Sequence, residues 1–247
     1  AGRIFEAGKS YVLEETTVFQ TGDREEAQTT GRLHFWLDEN GIFKKTSPQP
    51  LTPMEDLPFI YDEAGRMDGF KNRIIYYETS RGCPFSCSYC LSSIDKKLRF
   101  RPLDTVKKEL AFFLEQRVPQ VKFVDRTFNC KKSHAMAIWQ FIRDHDNGVT
   151  NFHFEIAADI LDEEEIALLK TMRPGLVQLE IGVQTANPDT IHAINRKMDL
   201  ERVAQVTETI RQFHNIHQHL DLIAGLPYEG YESFVRSFNE VYEMRPN

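Results

Sequence analysis

Arg73-Ile74-Ile75-Tyr76-Tyr77-Glu78 runs directly into Thr79-Ser80-Arg81-Gly82-Cys83-Pro84-Phe85-Ser86-Cys87-Ser88-Tyr89-Cys90, and this junction governs the reading of the 247-residue chain. The first six residues form an apolar run of strand length; Gly and Pro in the second stretch end it in a loop. Four more strand candidates follow: Val121–Asp125, Phe152–Ala157, Val177–Gly182 and Leu220–Ala224. Between them lie helical stripes. Val106, Leu110 and Phe113 share a face behind Asp104, an expected N-cap; Ala135, Ile138 and Ile142 share one behind Ser133, with Gly148 at the expected C-terminal stop. Asp162 and Glu165 have capping-box spacing, and Asn187-Pro188 reads as N-cap plus first-turn proline. Val203, Val206, Ile210 and Phe213 make a further stripe, and Phe234, Phe238 and Val241 the last. Five strand–helix alternations predict an α/β fold with a parallel sheet and right-handed crossovers. The strands read as apolar nearly throughout, as when helices cover a sheet. An open doubly wound sheet and a barrel both satisfy the pattern, and both place the site at the C-terminal strand ends. The chain stops at Asn247, just after the fifth helix, so the expectation is a partial barrel or a piece of a longer protein.

Upstream of this array, residues 1–30 are polar and lack a clear period. Leu33, Phe35 and Leu37 alternate like a strand, Asn40-Gly41 offers a hairpin turn, and Ile42-Phe43 a return strand. Pro48, Pro50, Pro53 and Pro58 predict an extended linker over 46–58. The expected organisation is therefore an irregular N-terminal segment, 1–65, and a core domain, 66–247. Acidic residues outnumber basic ones, 37 to 30, for a net charge of −7, which gives no reason to expect a nucleic-acid surface. No apolar run reaches the roughly 20 residues of a membrane span, and no signal-peptide stretch follows Ala1. A cytoplasmic protein without a membrane partner is expected.

Of four cysteines, Cys83, Cys87, Cys90 and Cys130, three crowd into eight residues as Cys-x3-Cys-x2-Cys. Such crowding in a large acidic chain points to metal ligation more than to disulfides. Three thiolates on a cubane cluster leave one iron without a protein ligand, an open position of the kind that chemistry needs. The alternatives are a closed structural site with Cys130 as fourth ligand, or three unrelated thiols; Gly82, Pro84, Ser86 and Ser88 make the loop a poor core element.

Cys-x3-Cys-x-aromatic-Cys after the first strand of a βα array resembles the radical S-adenosylmethionine (SAM) superfamily, over about residues 70–245. The resemblance implies a partial (β/α)6 TIM-like barrel, a [4Fe–4S] cluster on Cys83, Cys87 and Cys90, and SAM chelated at the fourth iron. One electron, from a flavodoxin- or ferredoxin-like donor, then cleaves SAM to a 5′-deoxyadenosyl radical acting on an unidentified substrate. Gln184-x11-Arg196 and Asp221-Leu222-Ile223-Ala224-Gly225-Leu226-Pro227 resemble the oxygen-independent coproporphyrinogen oxidase branch. There the glutamine and aspartate positions meet the ribose hydroxyls and the arginine pairs with the methionine carboxylate, as a planar guanidinium fork suits. Glu155 resembles the acid that meets the methionine amine or the ribose, and Tyr89 the aromatic at the adenine. No catalytic residue is assigned.

One departure is the stretch after the second strand, Val124-Asp125-Arg126-Thr127, where the family often has a Gly-Gly-Glu-like sequence. Asp125 reads equally as a replacement contact to the methionine amine and as a cap at a strand end. The wording of the motifs is similar to a little-characterised group that often carries an N-terminal cobalamin-binding domain. Met54–Phe59 resembles its linker, but no Asp-x-His-x-x-Gly loop is present, so cobalamin is expected only in a longer protein. The alternative function is a non-catalytic iron–sulfur electron-transfer or structural module. A methylthiotransferase-like reading lacks its second cysteine set. His214, His217 and His219 read as solvent-facing loop histidines rather than a second metal site, Cys130 as a small hydrophobe, and Glu180 as a strand-end acid of open orientation.

Overall fold

The computed structural model describes residues 10–21, 24–37, 40, 42–45, 51–62, 66–70 and 73–246. The chain divides into two compact units, Ala1–Leu51 and Thr52–Asn247. In the first, β1 (Ser10–Thr21), β2 (Arg24–Leu37) and β3 (Phe43–Lys45) form an antiparallel sheet in that order. Leu37 pairs with Phe43, so the expected return strand is present and begins one residue later than read; Gly41 of the turn and the prolines at 48 and 50 lie outside the described residues. The stretch expected to be irregular holds the long β1. Its Tyr, Val, Thr and Phe residues favour extended backbone without the alternation that marks a half-buried strand.

The second unit starts fourteen residues before the position read from the sequence. Met54 is buried, and Phe59 packs edge-on to Phe112 and Phe113 at 5.4 and 5.3 Å. Tyr61 donates to the Tyr76 carbonyl at 2.7 Å. This stretch is thus part of the core domain's packing, not a free linker.

Next come β4 (Ile75–Tyr77), the short pair β5 (Ser80–Arg81) and β6 (Arg99–Phe100), and α1 (Leu103–Glu115). Then follow β7 (Gln120–Phe123), α2 (Lys132–Asp144), β8 (Asn151–Ile156), α3 (Glu163–Lys170), β9 (Val177–Gln184), α4 (Pro188–Ala193), α5 (Leu200–Arg211), β10 (His217–Leu222) and α6 (Tyr231–Glu243). The parallel sheet runs β4-β7-β8-β9-β10. Each strand lies beside its successor, without the reversal of a doubly wound sheet, so the winding is that of a partial TIM-type barrel. Five parallel strands are present among the described residues, in line with the five strand candidates, and they do not close.

The strands are not apolar throughout. Val121 and Phe123, Phe152, Phe154 and Ile156, and Val177, Leu179, Ile181 and Val183 are buried and belong to one apolar core that includes Trp139 of α2. Phe128, Phe154 and Trp139 pack ring against ring there, Phe128–Phe154 at 4.4 Å and Phe128–Trp139 at 5.4 Å. The alternate positions, Lys122, His153, Glu155, Glu180, Gln184, His219 and Asp221, make the other face polar. A TIM barrel normally fills that interior with branched apolar side chains; here it is a site wall.

Helix starts agree where the sequence carries a full signature. Asp162 and Glu165 form a reciprocal capping box on α3, and the Asn187 side chain caps α4 ahead of Pro188. Asp104 and Ser133 are not caps: Pro102 and Lys131 hold those positions, and both expected residues sit in the first turn. Gly148, at φ +73°, lies beyond the end of α2, in the turn before β8. No helix among the described residues is long and apolar enough to cross a membrane.

Candidate functional site

The cysteine loop leaves the C-terminal end of β4 and is tied down from several sides. Asp125, fully buried beyond β7, accepts from the Thr79 amide at 3.0 Å, the Thr79 hydroxyl at 2.7 Å and the Ser80 hydroxyl at 2.5 Å. Gly82 takes φ +99°, and a β-carbon there would meet the Lys97 carbonyl at 2.6 Å, so only glycine fits. The Cys83 amide donates to the Asp95 carbonyl at 2.9 Å and the Ser88 amide to the Ile194 carbonyl at 2.9 Å. Asn195 Nδ2 donates to the Ser86 carbonyl at 3.0 Å.

This places Cys83, Cys87 and Cys90 on the wall of one cavity of about 220 Å³ at the C-terminal strand ends. All three thiols are free. The same cavity is lined by Glu155 from β8, Gly182 and Gln184 from β9, Asp221 from β10, and Arg196 from the segment after α4. Arg196 Nη1 donates to the Tyr89 hydroxyl at 3.1 Å and lies 3.8 Å from Cys87 Sγ; Nη2 donates to the Gly182 carbonyl. Its Nε–H is buried without a partner. Gln184 holds φ +74°, uncommon for a side-chain-bearing residue, where the β9–β10 register shifts. A β-carbon on Gly182 would press on Gln184 Nε2 and stand 3.8 Å from Arg196 Nη2.

A charged ladder crosses the polar sheet face below. Lys122 Nζ on β7 bonds Glu180 Oε2 on β9 at 2.8 Å. His153 Nε2 on β8 lies 2.9 Å from the same oxygen, without the alignment of a hydrogen bond. Burial works to raise Glu180, but Lys122 and His153 outweigh it and hold the carboxyl below its usual range. Burial, and then the Glu180 charge, push Asp221 and Glu155 up.

Of the nine residues expected at the site, the cavity brings together Cys83, Cys87, Cys90, Tyr89, Glu155, Gln184, Arg196 and Asp221. Asp125 is the exception, since its three hydrogen bonds face the loop base rather than the cavity. Sequence reasoning missed Gly182, Arg126, Thr127, Asp159 and Lys197, which also line it. Gly182 had a signal in retrospect: a glycine inside an apolar strand marks close approach by another group. His217 and His219 lie on β10, not in a loop, with ring centroids 4.4 Å apart; only His214 sits in a turn. Cys130 does not line the cavity, so it is not placed there as a fourth ligand; burial, then the charges of Asp125 and Cys83, push its thiol up to about 11.

Among the described residues no three Cys, His, Asp or Glu groups converge on a single ion. The three thiols share the lining of one cavity with Arg196, whose buried Nε–H has no partner. The residues fit a [4Fe–4S] cluster with a carboxylate-bearing ligand beside it.

Comparison with known proteins agrees. The radical SAM superfamily pattern matches residues 77–241, and the chain belongs to that superfamily, whose members bind a [4Fe–4S] cluster and SAM. It is 25% identical over 207 residues to an uncharacterised methyltransferase of Pyrococcus horikoshii, covering 81% of this chain and 44% of that one. Over 103 residues it is 34% identical to the oxygen-independent coproporphyrinogen III oxidase of Salmonella typhimurium, 39% of this chain and 22% of the oxidase. The fold is similar to the radical SAM methyltransferase TsrM of Kitasatospora setae, solved with cobalamin and a [4Fe–4S] cluster. The TM-score is 0.63 at 18% identity, over 73% of this chain and 34% of TsrM. The chain thus spans less than half the length of these relatives.

Proposed function

We propose that this chain is the SAM-cleaving core of a radical enzyme acting on a substrate bound against the polar inner wall of the sheet. The observation that carries the reading is the meeting of three free thiols and a partly unpartnered Arg196 around one cavity. When bound, a cluster on Cys83, Cys87 and Cys90 supplies one electron and an iron corner for the methionine end of SAM, whose cleavage gives a 5′-deoxyadenosyl radical. Arg196 offers its fork to the methionine carboxylate, and its bond to Tyr89 fixes that fork beside the loop. Gln184 and Asp221 suit the ribose diol, Glu155 the methionine amine or ribose, and Tyr89 the adenine. A flavodoxin- or ferredoxin-like donor in a reducing cytoplasm supplies the electron. The reaction is a methyl transfer, an oxidation or a cyclisation, and cobalamin would enter only in a longer protein.

The test is anaerobic. The reconstituted chain, reduced with dithionite and given SAM, is expected to release 5′-deoxyadenosine. Cys87→Ala is expected to lose cluster absorbance while keeping its far-ultraviolet circular dichroism. No 5′-deoxyadenosine, together with an electron paramagnetic spectrum unmoved by SAM, would leave the electron-transfer module as the better reading.

A further inference from the structure

Cys90 is followed by a short segment that forms the outer skin of the cysteine loop. Leu91–Ser93 is a 3-10 turn whose hydrogen bonding continues from the Ile94 amide to the Leu91 carbonyl, 3.1 Å. Residues three apart eclipse in such a turn, so Leu91 and Ile94 stand side by side. They are 84% and 78% exposed, against a core in which most large apolar side chains are fully buried. Behind them Ser92 lines the cavity. Lys96 and Lys97 follow, both exposed. Lys96 Nζ donates to the Phe85 carbonyl and to Ser86 Oγ at 3.0 Å, and neither lysine forms an ion pair with a described carboxylate. The Asp95 carbonyl receives the Cys83 amide, so the patch is fastened to the loop that carries the thiols.

The rim thus joins an exposed apolar pair to two lysines that no described carboxylate pairs, a locally basic spot on a chain of net charge −7. It lies one residue from a cluster ligand. The cluster must receive its electron from outside, and transfer falls steeply with distance, so the entry point belongs where the cluster is nearest the surface. We infer that the rim Leu91–Lys97 is the docking surface for an acidic flavodoxin, with Leu91 and Ile94 against the apolar edge of its flavin and Lys96 and Lys97 facing the surrounding carboxylates. This rests on the radical SAM reading above. In the docked pair one electron leaves the reduced flavin and enters the cluster, lowering its core charge from +2 to +1; no bond forms or breaks between the proteins.

The experiment compares two reductants on the cluster-loaded chain: dithionite and a reduced, acid-surfaced flavodoxin. With flavodoxin, the cluster reduction rate of the unaltered chain is expected to fall at least about tenfold from 20 to 300 mM salt. Lys97→Glu, and separately Leu91→Ser with Ile94→Ser, are expected to slow it by about tenfold or more. Both variants keep wild-type cluster content, dithionite reduction and 5′-deoxyadenosine yield. A flavodoxin rate that ignores salt, or that both variants retain, overturns the docking surface, as does efficient reduction by a ferredoxin alone. Absence of 5′-deoxyadenosine after dithionite in the unaltered chain is a different failure, and removes the radical SAM reading itself.

Discussion

Thr79 joins three elements through one hydroxyl, which donates to Asp125 and lies 3.1 Å from His134 Nε2 on α2. Asp125→Asn replaces one acceptor oxygen by an amide, leaving an amide or hydroxyl donor of the loop base unmatched. A loss of about 1–3 kcal/mol is expected in urea unfolding. The same trio sets a pH dependence. Burial, then the Lys131 charge, lower His134 to about 4 from the usual 6.5. Its contribution is therefore full above pH 6.5 and is lost as pH falls toward 4. Burial raises Asp125 to about 6 from 3.8, despite the Ser80 and Thr79 hydrogen bonds, so its contribution runs the opposite way, growing as pH falls from 6 to 4. The two offset each other in the wild type. His134→Gln removes one of them, so its Tm relative to wild type is expected to rise from pH 6.5 to pH 4; a constant difference in thermal melts would contradict this. In the sequence Asp125 served both readings equally, because an acid at a strand end suits a cofactor and a cap alike. What decides between them is a partner 46 residues earlier, which no local pattern reveals.

β9 carries the most information of any element. Its alternation Val177, Leu179, Ile181, Val183 against Gln178, Glu180, Gly182, Gln184 separates core from cavity. Gly182→Ala would push against the free end of the Gln184 amide, which can swing aside, so stability is expected to change by less than about 1 kcal/mol. Displacing Gln184 and crowding Arg196 is expected to weaken SAM binding about tenfold by anaerobic calorimetry, the equivalent of one lost hydrogen bond. Unaltered affinity would remove Gln184 from the ribose. The strands themselves were legible from their apolar runs, but not their two faces: a run such as Phe152-His153-Phe154-Glu155 reads as buried until its polar members find a cavity. Helix starts followed the same logic. α3 and α4 announce themselves by paired signals, whereas Asp104 and Ser133, single acceptors near a helix start, each sit two residues past the true N-cap.

At the scale of the domain, strand–helix alternation declared a parallel sheet, and only the neighbour order separated barrel winding from a doubly wound sheet. A further long-range tie was silent in the sequence. Arg101 and Glu109 form a buried ion pair, with Nε to Oε2 at 2.8 Å; Tyr77 donates to Glu109 at 2.5 Å and Arg101 to the Met54 carbonyl at 2.8 Å. Arg101→Met strands the Glu109 charge in the core and is expected to cost about 3–5 kcal/mol by denaturant unfolding, with recovery of part of that loss when Glu109→Gln is added. The ties on the cysteine loop have another consequence. Those from Asp125, Asp95, Ile194 and Asn195 use backbone or oxygen and nitrogen side-chain atoms, never sulfur. In zinc fingers the metal supplies the folding energy; here these four ties fasten the loop through atoms that a cluster would leave free. The loop is then expected to outlast the loss of its iron: a chain bleached by oxygen should keep its far-ultraviolet dichroism and take up iron and sulfide again on anaerobic reconstitution.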